Sequence, residues 1–233
     1  MDLSSSTALI TGANRGLGAA FARDLVSRGA KVYAGARDPA SVHIDGVIPV
    51  RVDTTDPASI AAVAAQAGDV TLLVNNAGIA RDVDLLTGDL ADARAEIETN
   101  YFGTLEMIRA FVPVLEANGG GAILNVLSVL SWLSSPDTGG YCAAKSAEWS
   151  MTNAVRAQLA GRGVAVTGLH VGLMATDMAA NFDAPKSNPA DVARLALDGV
   201  AAGAYEVLAD DLSRHVQANL SSGVAALYPS LAG

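Results

Sequence analysis

The sequence predicts an α/β fold: a doubly wound parallel sheet of about seven strands with helices on both faces, built as one domain over residues 1–233. Three observations predict it. Short β-branched apolar runs alternate with Ala-rich stretches from one end of the chain to the other. Those runs are continuously apolar instead of alternating, as strands buried on both faces must be. A glycine-rich turn, Gly12-Ala13-Asn14-Arg15-Gly16-Leu17-Gly18, joins the first run to the first helical stretch.

Taken in order, the run 7–11 is the first strand and delivers the chain to that turn. Over 17–27, Leu17, Phe21 and Leu25 recur at i, i+4 and i+8 and form one helical stripe. Gly29 then stops the helix, with Arg28 near the negative end of its dipole. Strands follow over 31–36, 47–52 and 70–75, the last ending on Asn75. The stretch 90–117 reads as one long helix, 122–127 as a strand, 141–160 as a second long helix and 164–170 as a strand. Pro189 after Asn188 opens a helix over 189–202, and 205–209 is the seventh strand. No repeat, linker or low-complexity segment interrupts the alternation.

Composition narrows the function classes. Hydrophobic residues make up 51% and charged residues 17%, enough for a large core. No apolar run reaches the roughly 18 to 20 residues of a membrane span. Met1-Asp2-Leu3-Ser4 places no basic patch before an apolar stretch, so no secretory signal is expected. Cys142 is the sole cysteine, which excludes an intramolecular disulfide and fits a reducing compartment. A soluble, cytoplasmic protein is expected. The net charge of −9 argues against nucleic acid as a partner. His43, His170 and His215 are scattered without partners at ligand spacing, so no metal is expected. Lysine is scarce, and only Lys31, Lys145 and Lys186 carry it.

The glycine turn has the physics of a dinucleotide loop. Gly12 permits the tight turn, Gly16 admits a pyrophosphate to the helix N-terminus, and Gly18 lets that helix pack on the sheet. Its G-x-x-x-G-x-G spacing resembles the short-chain dehydrogenase/reductase family, and the resemblance recurs in order. Asn75-Asn76-Ala77-Gly78 matches the family's NNAG segment, Asn100 its helical asparagine and Ser128 its serine. Tyr141-Cys142-Ala143-Ala144-Lys145 matches Y-x-x-x-K. The likeness covers about residues 6–209 and implies a Rossmann-like fold that binds a nicotinamide coenzyme.

Tyr141 and Lys145, at i and i+4, share one helix face. A free tyrosine titrates near 10. A neighbouring ammonium lowers that value, so Lys145 is expected to tune Tyr141 downward for proton transfer to a carbonyl oxygen. Ser128 at a strand end is placed to donate to the same oxygen. The resemblance adds a nicotinamide-ribose contact for Lys145 and a water-relay role for Asn100. The implied cofactor set begins with Gly12, Asn14, Arg15, Gly16, Leu17 and Gly18. It continues with Arg37, Asp53, Thr54, Asn76, Ala77 and Gly78, and ends with Tyr141, Lys145, Gly172 and Thr176.

The acid that NAD-preferring members carry after the second strand is replaced by Ala36-Arg37, and Arg15 precedes Gly16. Two arginines suit a 2′-phosphate, so NADP(H) is expected, although Asp38 could reach back as the missing acid. Leu130, Trp132, Leu133, Leu173, Met174 and Met178 imply an apolar mouth and an apolar ketone, aldehyde or secondary alcohol as substrate. The sequence departs from the family at Val171, where proline is usual, at Leu127, and in lacking a glycine-rich segment after the last strand. A homo-oligomer is expected, dimer before tetramer, paired through the two long helices whose Phe111, Val114, Trp149 and Val155 extend beyond one stripe. The rival expectation is a protein that senses NADP without turning it over; the intact Tyr141 and Lys145 speak against it.

Overall fold

The computed structural model describes residues 1–81 and 83–228. Its strands are β1 (Thr7–Thr11), β2 (Lys31–Ala36), β3 (Val47–Arg51), β4 (Leu72–Asn75), β5 (Gly121–Val126), β6 (Val164–His170) and β7 (Glu206–Leu208). All seven join one parallel sheet in the order β3-β2-β1-β4-β5-β6-β7. Chain order reverses between β1 and β4, which opens a crevice at their C-terminal ends, the usual ligand position in such sheets.

Each face of the sheet carries its own core. On one side α1 (Gly16–Ser27) and α6 (Pro189–Ala202) pack Phe21, Leu25 and Leu197 on Ile10, Val74 and Leu124. On the other side α2 (Pro57–Gln66), α4 (Thr104–Ala117) and α5 (Gly139–Gln158) pack Ile60, Phe111 and Met151 on Leu9, Leu73 and Ile123. Strand neighbours alternate between the two clusters, so the uniformly apolar runs serve both faces. Among the described residues, no helix is long and apolar enough to cross a membrane.

The expected long helix over 90–117 is not regular. It runs as α3 (Leu90–Ile97), a π turn over Glu98–Gly103, and α4. The π turn holds Asn100, which is fully buried, and such bulges gather at functional sites. The side chains expected to serve pairing between chains also pack within this one, and Val114 and Trp149 stay partly exposed. Phe111 and Val155 are buried, Val114 packs on the second core cluster, and Trp149 meets the Trp132 ring edge-on at 5.9 Å.

Candidate active site

The glycine turn is locked to the end of β4. Thr11 Oγ1 accepts from the Asn76 and Ala77 amides, both at 2.9 Å. The Asn76 side-chain nitrogen donates back to the Thr11 carbonyl at 2.9 Å and the Gly12 carbonyl at 3.2 Å. Asn76 therefore shapes the loop through its side chain. Gly12 and Gly16 adopt φ of 65° and 55°, left-handed values that favour glycine. Gly18 is constrained sterically: a Cβ there would lie 2.2 Å from the Gly12 carbonyl oxygen. Replacing Gly18 with Ala forces backbone apart, and overpacking of this kind costs up to about 3 kcal/mol. A melting experiment should show Tm falling by roughly 5 to 10 °C for a chain of this size, together with weaker coenzyme binding.

α1 starts with Leu17 buried at its first turn, and Arg15 as its N-cap makes no side-chain capping bond. The first-turn amides carry the partial positive charge that a pyrophosphate needs. With a turn that a Cβ would fill, this cradle fits a dinucleotide. Asn14 Nδ2 donates to Ser41 Oγ at 3.2 Å, bracing the turn against the segment after β2. Arg15 reaches across to Asp177, with Nη1 3.3 Å from Oδ2 and both side chains largely exposed. Thr176 lies over the turn, its methyl 3.3 Å from where a Gly16 Cβ would stand. The segment after β6 thus closes over the glycine loop.

Arg37 follows β2 as an exposed residue. Asp38 does not reach back: its carboxylate accepts from the Ala40 amide at 3.0 Å and caps the turn Pro39–Ser41. Asp53 accepts from the Thr55 hydroxyl and amide, which hold its carboxyl below the ordinary aspartate value, with smaller help from Arg37 and Arg51. Thr54 is buried where a Cβ on Gly103 would meet its Oγ1 at 2.9 Å, so it bears on the π turn. Gly78 approaches Asn100 in the same way, also at 2.9 Å. The Gly172 amide is committed to Asp210 Oδ2 at 2.5 Å.

The expected catalytic residues converge from three elements. Asn100 Oδ1 accepts from the Ile79 amide and its Nδ2 donates to the Ile79 carbonyl, both at 2.9 Å. Its amide therefore grips the segment after β4, using in these bonds one of its two N–H donors and one of its two oxygen lone pairs. Ser128, just beyond β5, donates to the Val171 carbonyl at 3.4 Å and accepts from the Leu130 amide at 3.1 Å. On α5, Lys145 Nζ stands 5.8 Å from the Tyr141 ring centroid. That ammonium is buried and donates to the Val126 carbonyl at 2.8 Å and Glu148 Oε2 at 2.7 Å.

The electrostatics depart from the expected downward tuning. Burial is the largest influence and pushes the Tyr141 phenol above the ordinary tyrosine value. Lys145 pulls it down, Glu148 pushes it up, and the Ser128 hydroxyl lowers it slightly. Burial also opposes the charged form of Lys145, but Glu148 and Tyr141 outweigh it and hold the ammonium above its ordinary value. Lysine alone would lower the phenol; the neighbouring carboxylate cancels part of its field.

Two groups escaped the sequence. Glu148 is one, signalled only by its place three residues after Lys145 on the same helix face. The other is the packing behind Ser128, where His170 Nδ1 lies 3.2 Å from the Ser128 carbonyl and its ring stacks on Trp132 at 3.7 Å. Burial holds His170 below the ordinary histidine value. Trp132 thus packs one face on the buried His170 and stays partly exposed. Met174 packs on the first core cluster, while Met178 is about half exposed. Leu85, Leu86 and Phe182 are exposed apolar residues, and Leu85 touches α5 at Gly139, two residues before Tyr141. Among the described residues, no cluster of three His, Cys, Asp or Glu side chains could hold a metal ion.

Comparison with known proteins agrees with this architecture. The short chain dehydrogenase family model matches residues 6–187. A 3-oxoacyl-[acyl-carrier-protein] reductase of Synechocystis sp. is 32% identical over 224 residues, covering 90% of this chain and 91% of the relative. Galactitol 2-dehydrogenase (L-tagatose-forming) of Cereibacter sphaeroides is 36% identical over 188 residues, covering 76% and 74%. A crystal structure of a short chain dehydrogenase from Burkholderia cenocepacia J2315 in complex with NADP superposes with a TM-score of 0.95, at 39% identity and over 100% of both chains. The glycine turn is joined to the β4 end at the sheet's switch point, the Tyr–Lys helix is bonded to the neighbouring β5 end, and this chain belongs to the short chain dehydrogenase family of oxidoreductases.

Proposed function

We propose that the chain is an NADP(H)-dependent carbonyl reductase, or alcohol dehydrogenase in reverse, acting on an apolar ketone or aldehyde. The observation that carries this reading is the pairing of Tyr141 with the buried Lys145 ammonium on α5, with the Ser128 hydroxyl against the phenol. The coenzyme, when bound, supplies or accepts a hydride at the substrate carbon. The glycine turn and α1 N-terminus hold its pyrophosphate, and Arg37 with Arg15 meet a 2′-phosphate. Asp38, committed to its own turn, supports NADP(H) over NAD(H).

For the substrate, the Ser128 hydroxyl releases its long bond to the Val171 carbonyl and donates to the carbonyl oxygen. The Tyr141 hydroxyl donates a second bond and then its proton as the oxygen becomes an alkoxide. Lys145 has three protons and two are engaged, leaving one for the coenzyme ribose. The exposed Leu85, Leu86, Met178 and Phe182 support an apolar substrate. The likeness to a 3-oxoacyl reductase favours a ketone on an acyl chain, and that to a polyol dehydrogenase a ketose. NADPH oxidation, followed by absorbance, should be fastest with aryl or long-chain ketones, slower with short 3-oxoacyl thioesters, and negligible with ketoses. Preference for ketoses would overturn the apolar assignment.

A further inference from the structure

The ammonium at the centre of the site has a partner that the reaction above does not use. Glu148 lies three residues beyond Lys145, with its side chain 1% exposed and its Oε2 2.7 Å from Nζ. Its other carboxylate oxygen accepts from Thr104 Oγ1 at 3.2 Å, at the first residue of α4. The Glu148 carbonyl accepts from Thr152 Oγ1 at 2.8 Å. Thr152 in turn accepts from Asn125, which accepts from Asn75 at the end of β4. The residue is thus tied to β4, β5 and α4 at once. A buried carboxylate is costly beside an apolar side chain of equal volume, so packing does not account for it.

We infer that Glu148 is a positioning residue of the active site, anchoring the Lys145 ammonium where Tyr141 and the coenzyme ribose meet it and supplying its counter-charge. The inference rests on reading Tyr141 as the proton donor. With Val126 and Glu148 fixing two N–H directions, the third is left in a defined attitude. A mobile lysine would have to be ordered anew by each coenzyme molecule.

The charge has a consequence that the position does not. Tyr141 and Lys145 titrate as a coupled pair. Removing a negative charge beside them lowers the pH at which the pair loses its first proton, whichever residue gives it up. Other groups facing the pair are few. From α3, Glu96 bears on α5 at Gly140, with its Oε1 engaged by the Arg81 amide. From α4 comes Thr104, from the turn after β5 Ser128, and on α5 itself Cys142. Variants at Glu148 keep all of these residues, and Thr104 alone among them bonds to the side chain replaced.

The test is NADPH affinity of the whole protein, read by fluorescence titration from neutral to strongly alkaline pH. The alkaline midpoint of kcat/KM for one ketone is read alongside. Glu148→Gln keeps the shape and removes the charge, and Glu148→Met removes charge and hydrogen bonding together. In both, the alkaline midpoint of binding should fall by about one pH unit or more, and Glu148→Met, which also releases Nζ, should weaken affinity at neutral pH more than Glu148→Gln does. Glu148→Asp keeps the charge, so its midpoint should stay near the parent's while kcat falls through displacement of Nζ. An unchanged midpoint in either charge-free variant overturns the inference, even if Tm drops, and so does an equal shift in Glu148→Asp. Should the parent bind NADPH but reduce no carbonyl, the proposed function fails while the binding midpoints still judge Glu148. A parent that binds no NADPH sinks both.

Discussion

Tyr141→Phe is expected to lower kcat by about 10² to 10⁴, the usual contribution of a general acid, with NADPH affinity within a few-fold of the parent. The substitution deletes one oxygen and keeps the ring. Lys145 stays anchored on Val126 and Glu148, and the glycine turn is untouched. Loss of rate without loss of binding is therefore the expected split. The pH dependence follows from the raised phenol. Reduction needs the protonated hydroxyl, so its rate should hold level through neutral pH and fall only in the alkaline range. Alcohol oxidation needs the phenolate and should rise over that same range. Single-turnover reduction by the variant within about tenfold of the parent would remove Tyr141 from the chemistry.

The strands were legible because each is a continuous apolar run, and burial on both faces is what such runs require. The expected strand over 70–75 begins at Leu72, since Val70 and Thr71 belong to the approach. α2 was missed although its start was written in the sequence. Asp56 accepts from the Ala58 amide at 3.0 Å and Pro57 takes the first helical position. Its Ala-rich body carries only a narrow apolar stripe, so periodicity gave little signal. The π turn was hidden for a different reason. It depends on Asn100 gripping Ile79, a partner 21 residues away.

The site divides along the same line. Motif residues at element ends could be placed because a glycine turn or a Tyr–Lys pair has local geometry. Glu148 could not, since a charged residue on a helix is ordinarily solvated. Tertiary packing of α5 buries it beside Lys145, with the Thr104 hydroxyl at the start of α4 as one partner. The expected downward tuning of Tyr141 overlooked that carboxylate, and its sign changed once burial and Glu148 were counted.

NADPH should be preferred to NADH by at least tenfold in kcat/KM, which is about 1.4 kcal/mol. Arg37 is exposed beside the β2 end, and each hydrogen bond to a charged phosphate is worth roughly 1.5 to 3 kcal/mol before screening. Arg15 contributes less at first sight, because it is paired with Asp177 at 3.3 Å. That pair is exposed, and exposed pairs are worth about 0 to 1 kcal/mol. A doubly charged phosphate should therefore draw Arg15 away. Asp177→Asn is expected to strengthen NADPH binding modestly and leave NADH unchanged. Arg37→Ala should weaken NADPH without helping NADH, since no carboxylate then meets the free 2′-hydroxyl. Adding Ala36→Asp supplies that carboxylate and repels the phosphate, so the double variant should prefer NADH. Ala36 is buried, at 4% exposure. The new carboxylate therefore costs stability until a ribose satisfies it, and NADH should raise the double variant's Tm more than NADPH does. The deciding measurement is kcat/KM for both coenzymes with one saturating ketone, across the parent and these variants. Equal use of both by the parent, or an unmoved ratio in the double variant, would show that these arginines do not read the phosphate.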